Sequence, residues 1–160
     1  MKRIYGLIAV MVLVSMFVGV VYAAAPPKGY LSATEIKALL DRFSDPMRLE
    51  DVRATLGNPT EENSRNPMWY FDDYNVNLLF NRIGNTLTLQ GLGQFFDSYD
   101  ERSRRKVLLT EQFNALMRTP RTQTDSMTTW DYNNYNYGMG LSSIRGIPVL
   151  VFVRSHKDEK

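Results

Sequence analysis

The two tryptophans of this chain, Trp69 and Trp130, lie 61 residues apart, and their surroundings agree at the same offset. Laid over Thr110–Ile144 without a gap, Leu49–Ile83 keeps seven identities in 35 positions: Glu50/Glu111, Ala54/Ala115, Pro59/Pro120, Trp69/Trp130, Tyr74/Tyr135, Asn75/Asn136 and Ile83/Ile144. Composition alone would leave roughly two. Apolar character is kept where identity is not, at Val52/Phe113, Leu56/Met117, Phe71/Tyr132, Leu78/Met139 and Phe80/Leu141. A repeat of this length constrains architecture before any motif does, because each copy must be one supersecondary unit. It makes Trp69 and Trp130 equivalent inward anchors.

The hydrophobic period gives the content of each copy. Ser32 and Glu35 have capping-box spacing, and Ile36, Leu39, Leu40 and Phe43 follow on one helical face until Ser44-Asp45-Pro46. A second short helix is predicted from Leu49 to Leu56, stopped by Gly57-Asn58-Pro59. The period then drops to two at Trp69/Phe71, Val76/Leu78/Phe80 and Leu87/Leu89, with turns at Asp73-Tyr74-Asn75 and Gly84-Asn85. Gly91-Leu92-Gly93 reads as the separator between copies. Beyond it the pattern predicts a helix over Gln94–Lys106, another through Leu109, Phe113, Leu116 and Met117, and three strands ending at Ile147–Val153. The expected fold is α+β: two tandem helix-helix-β-β-β repeats, antiparallel sheets with helices packed on one side. Residues 32–92 form the first repeat, 93–154 the second and 155–160 a charged tail.

The N-terminus has the parts of an export signal: Lys2 and Arg3, the apolar run Ile4–Val21, and the small residues Ala23-Ala24-Ala25. Cleavage fits after Ala23 or after Ala25. Residues 1–23 are read as a signal peptide or a retained inner-membrane anchor, since 18 apolar residues approach the ~20 that span a bilayer. Residues 24–31, with Pro26-Pro27, form a flexible leader. A periplasmic or secreted location follows. Without residues 1–23 the chain has 17 Lys+Arg and 17 Asp+Glu. That balance offers nucleic acid no excess of cations. With no cysteine anywhere, an exported domain of this size must be held by its core.

The short helix ending Val52-Arg53-Ala54-Thr55-Leu56-Gly57-Asn58-Pro59, the polar loop, the strand Trp69-Tyr70-Phe71 and the strand Leu78-Leu79-Phe80-Asn81 resemble a known module. It is similar to the β-lactamase-inhibitor-protein-like fold shared with the SmpA/OmlA outer-membrane assembly lipoproteins. The tandem arrangement resembles the inhibitor more than the single-unit lipoproteins. The second copy reads Met117-Arg118-Thr119-Pro120, without the glycine, and the chain lacks both the lipobox cysteine and the inhibitor's disulfides. The resemblance implies a non-catalytic exported protein that binds other proteins through its sheet.

Catalytic raw material is scarce. His156 is the sole histidine and falls in the tail, so Ser-His or Cys-His chemistry and histidine metal sites have no basis. Asp72-Asp73, Glu61-Glu62 and Asp41/Asp45 read as solvated or capping carboxylates, and Arg102, Arg104, Arg105 and Lys106 as a solvated helix end or linker. No enzyme, cofactor or metal is expected. Tyr132, Tyr135 and Tyr137 favour core or hairpin-edge packing; as a surface cluster they would make the chain a carbohydrate or peptidoglycan binder. The last strand of the second copy is the main departure between copies. With Val149, Val151 and Val153 facing the helices, Leu150 and Phe152 face outward beside Gly138 and Gly140, an apolar depression with Tyr135 near it. A helix of the other copy, a second molecule or the leader would otherwise cover them. The expected function is a protein-binding module of the cell envelope whose partner, another envelope or secreted protein, meets Leu150, Phe152, Gly138, Gly140 and Tyr135.

Overall fold

The computed structural model describes residues 29–157, so the export signal, most of the leader and the last three tail residues lie outside the described residues. Within them the chain runs α1 (Ala33–Phe43), β1 (Met47–Arg48), α2 (Leu49–Leu56), β2 (Met68–Phe71), β3 (Val76–Ile83), β4 (Thr86–Phe95), α3 (Tyr99–Met117), β5 (Thr122–Gln123), β6 (Met127–Tyr132), β7 (Tyr135–Ile144) and β8 (Ile147–His156). All strand pairs are antiparallel, in the order β2-β3-β4-β8-β7-β6-β5 with β1 pairing to β4. The result is one eight-stranded sheet with three helices on one side. None of the described helices is long and apolar enough to cross a membrane.

The first helix forms where its caps place it. Ser32 Oγ accepts from the Glu35 amide and the Glu35 carboxylate accepts from the Ser32 amide, so two donors that helix geometry orphans are satisfied. Ala33, Ile36, Leu39, Leu40 and Phe43 are buried against the sheet. Trp69 and Trp130 are both buried in it, and each indole N–H reaches back to the end of a helix: Trp69 to the Gly57 carbonyl at 3.1 Å, Trp130 to Asn114 Oδ1 at 2.8 Å. Phe80 and Phe113 pack against the two rings.

Residues 91–106 differ from the expectation. Gly91-Leu92-Gly93 lies inside β4, and of the predicted helix Gln94–Lys106 only the part from Tyr99 onward is helical. Gln94 and Phe95 complete β4, and Ser98 caps a single 19-residue helix that absorbs both predicted ones. The strand runs on through the glycines with its phase shifted by one residue. The pairing steps from Leu79↔Gly91 to Phe80↔Leu89, leaving Gln90 as a bulge, and Leu92 resumes the buried side after Leu87 and Leu89. β4 is then hydrogen-bonded to β3 on one side and β8 on the other, which a helix there would forfeit.

Both edges of the sheet are capped by short extended pieces. The Thr60 amide donates to the Met68 carbonyl at 2.9 Å beside β2, and the Arg121 amide donates to the Thr129 carbonyl at 2.8 Å beside β6. Covered edges leave the faces, rather than the rims, as the large surfaces of the sheet.

Candidate binding face

The helices divide the sheet into a covered and an open face, and the register decides which residue lies where. Met139 pairs with Phe152 and Leu141 with Leu150, and all four side chains point toward the helices. Leu150 is 0% exposed and Phe152 1%, with Phe152 packed 6.2 Å from the Phe113 ring of α3. The outward assignment of Leu150 and Phe152 is therefore corrected: they are core residues. The physical reason is volume. Space between helices and sheet must be filled to crystal-like density, and the larger Leu and Phe fill it better than valine.

Tyr135 also belongs to the covered side. Arg154, of which the side chain is 5% exposed, lies over the Tyr135 ring at 3.4 Å from its centroid. Its guanidinium meets Asp45 at 3.3 Å and Asp41 at 3.4 Å, and His156 Nε2 is 3.2 Å from Asp45. The Tyr137 hydroxyl donates to Asp41. Burial, the hydrogen bond to Asp41 and its charge push the Tyr137 phenol well above its ordinary range. Burial opposes the Arg154 charge, but Asp45, Tyr137 and Asp41 outweigh it, so the guanidinium is held more firmly protonated than usual. Tyr132 lies beneath Lys37 at 5.0 Å. Each tyrosine ring of the hairpin meets a partner on the helix side, and none stands on the open face. Asp41 and Asp45 are not freely solvated, and His156 ends β8 rather than lying in a tail.

The basic run of α3 is likewise used internally. Arg102 donates to the Ser142 carbonyl at 2.7 Å, Arg105 to Leu31 at 2.8 Å, and Lys106 to Thr124 and Asp125 at 2.8 and 2.6 Å. Arg105 is buried, and Tyr30 stacks on Phe96 while donating to Glu101. These bonds fasten the start of the domain and the sheet's end loops to one helix. Among the described residues no group of His, Asp or Glu is placed to hold a metal.

The open face is built from the other parity. Across β2, β3, β4, β8, β7 and β6 it presents Met68 and Tyr70, Asn77 and Leu79, Gly91 and Phe95, Val151 and Val153, Gly138, Gly140 and Ser142, then Met127 and Thr129; Val149 and Gly93 share this parity but are buried. Val153 is 41% exposed, Met127 46% and Leu79 36%. Charged strand residues on this side lie at its margins: Asp131 within 3.6 Å of Arg121 and 4.0 Å of Lys157, and Arg48 of β1 at 3.2 Å from Glu50. Of the five residues predicted to meet a partner, Gly138 and Gly140 lie here, while Leu150, Phe152 and Tyr135 lie on the opposite side. Val151, Val153, Met127, Leu79 and Gly91 share the open side with Gly138 and Gly140 and were not among the five. A signal for them existed: Gly-x-Gly occurs at both 91–93 and 138–140, and a strand glycine marks a face where something approaches closely. Compared with protein-family models, curated proteins and solved structures, the chain matches none.

Proposed function

We propose that this chain is an exported, non-catalytic module of the cell envelope that binds another protein through the open face of its sheet. One observation carries this reading. Helices cover a single face, and no described helix covers the other, where Leu79, Val153 and Met127 are exposed apolar residues. Exposed apolar surface of this extent is a feature of interaction sites. The near absence of charge disfavours nucleic acid and suits a protein partner docking by shape. The export signal and the β-lactamase-inhibitor-protein-like resemblance point to a periplasmic or secreted partner; a membrane enters only if residues 4–21 are retained as an anchor. No observation favours the carbohydrate reading, since its tyrosines are engaged on the helix side.

The same proposal includes an origin by tandem duplication. Gly57 and Arg118 stand 61 residues apart at the ends of α2 and α3 with nearly one conformation, φ 80 and ψ −162 against φ 72 and ψ −159. Their amides donate to Arg53 and Asn114, again at that offset. Thr60/Arg121 and the Ile83-to-Thr86 and Ile144-to-Ile147 turns repeat it too. The copies differ at the first hairpin, where Phe71↔Val76 closes a longer loop than Tyr132↔Tyr135.

Photocrosslinking tests the binding face. A photoreactive residue replacing Val153 or Met127 in the exported protein is expected to yield an adduct with another envelope protein. The same group replacing Glu111 on the exposed side of α3 is expected to yield none. Equal labelling from all three positions, or no adduct at the sheet, would sink the proposal.

A further inference from the structure

The β7–β8 hairpin ends in two isoleucines. Ile144 pairs with Ile147 across the Arg145-Gly146 turn, and both have the parity of Ser142 and Val149, so they lie at one end of the open side. Ile144 is 44% exposed and Ile147 49%. Tyr99, 50% exposed, stands beside them, its hydroxyl 3.4 Å from both Ser143 Oγ and the Gly146 carbonyl. Phe95 pairs with Val149 behind the tip, and the Tyr70 ring packs edge-on to Phe95 at 6.1 Å. Arg145, the one charged residue of the turn, is exposed. At the opposite end of the sheet the β3–β4 tip, Ile83-Gly84-Asn85-Thr86, carries a single isoleucine.

The chain enters the domain at the same end as the β7–β8 tip. Tyr30 stacks on Phe96, just past β4, and donates to Glu101 in the first turn of α3. Gly29 lies beside the β2–β3 loop, where a Cβ on it would be 3.9 Å from the Asp73 carbonyl. Val21, the last residue of the apolar run, precedes Gly29 by eight residues, which reach at most about 28 Å. The ten residues of β8 make about 34 Å of strand. With the run in a bilayer, the link is shorter than the sheet is long, so the domain cannot stand on the opposite tip. The residue types at the near tip suit a lipid surface. Isoleucine favours the acyl region, and tyrosine the interface, where its ring is dry and its hydroxyl wet. A guanidinium matches phosphate. Asp72, Asp73, Asp97 and Asp100 also border this end, so anionic headgroups are not the attraction and the contact is an apolar one with zwitterionic lipid.

We propose that this end of the sheet rests on the lipid surface from which the chain emerges. Ile144, Ile147 and Tyr99 reach the boundary between headgroups and acyl chains, and Arg145 lies among the phosphates. Such a contact requires residues 4–21 to be retained as an anchor, the reading under which a membrane enters the proposed function. It leaves Val153, farther along β8, open to a protein partner.

The chain has no cysteine, so a single nitroxide can be placed on it at a chosen position. The whole chain, residues 1–160, carrying Ile147→Cys or Ile83→Cys and spin-labelled there, is reconstituted into phosphatidylcholine vesicles. Power saturation in electron paramagnetic resonance then reads the access of oxygen and of a water-soluble nickel chelate to the label. The label at 147 is expected to gain oxygen access and lose nickel access relative to the label at 83, which stays aqueous. Adding Ile144→Asp is expected to return the 147 label to water without changing the 83 label. A 147 label as aqueous as that at 83 overturns the proposal. A 147 label unmoved by Ile144→Asp is held by the link alone, which overturns it too. So does N-terminal sequencing of the cellular protein that finds it cleaved after Ala23 or Ala25. Envelope adducts at Val153 with an aqueous 147 label overturn the lipid contact and leave protein binding standing. A 147 label at membrane depth with no adduct does the converse.

Discussion

Arg118 shows at single-residue scale what a lost glycine costs. The helix end before Pro120 needs φ 72 and ψ −159, a region that is essentially glycine's and costs other residues about 1–3 kcal/mol. Gly57 meets the same need before Pro59 without a Cβ. The missing glycine was visible in the sequence as Met117-Arg118-Thr119-Pro120. That the backbone would keep the conformation was not visible, because the Arg118 amide bond to Asn114 and the Trp130 indole bond to Asn114 hold this turn from outside it. Arg118→Gly is expected to stabilise the protein by about 1 kcal/mol. Gly57→Ala is expected to destabilise it by a similar amount or more, through the backbone alone, since a Cβ there meets nothing within 4 Å. Urea unfolding of both variants checks this; a lower midpoint for Arg118→Gly would contradict the strain assignment.

Elements are joined here by part-buried polar contacts that link distant parts of the chain. The end of α1 is fastened to β7 and β8 by Tyr137, Asp41, Arg154 and Asp45. Because the Tyr137 phenol has its folded pKa raised, its contribution is complete below the unfolded value near 10 and is lost as pH rises through the folded value. Stability is therefore expected to fall above about pH 10. Tyr137→Phe is expected to cost about 1–2 kcal/mol at neutral pH and to make that alkaline loss shallower. Tyr30, raised by burial and by Glu101, supplies the residual slope. Urea midpoints at neutral and alkaline pH read both effects, and an unchanged slope in the variant would remove Tyr137 from the account. The lower boundary of α3 was hidden in the sequence for a related reason. Phe95 and Phe96 fit an amphipathic helix as well as a strand end, and only pairing with β8 distinguishes them.

At the scale of the whole molecule, one side of the sheet packs against the three described helices and the other does not. Leu150→Ala is expected to cost about 3 kcal/mol, as a cavity beneath α3 and α1. Val153→Ala is expected to lie within about 0.5 kcal/mol of the wild type, because that side chain is exposed on the side away from the helices. Comparing the two unfolding midpoints checks the orientation of β8. Equal losses would mean that the open face is covered after all.

The capping box of α1, the inward tryptophans, most strand periods and the α+β class with helices on one side were determined by the sequence itself. Each rests on local spacing or on identity between two windows, so no distant contact was needed to read it. The facing of β8 was different. Val149-Leu150-Val151-Phe152-Val153 is apolar at every position, so alternation carries no phase, and a shift of one residue exchanges the two faces. Only tertiary structure decided it, by pairing Val151 and Val153 with the glycines of β7 and by filling the volume under the helices with Leu150 and Phe152. The joining of both meanders through β4 and β8 into one sheet was decided at the same level, by hydrogen bonds between strands more than fifty residues apart.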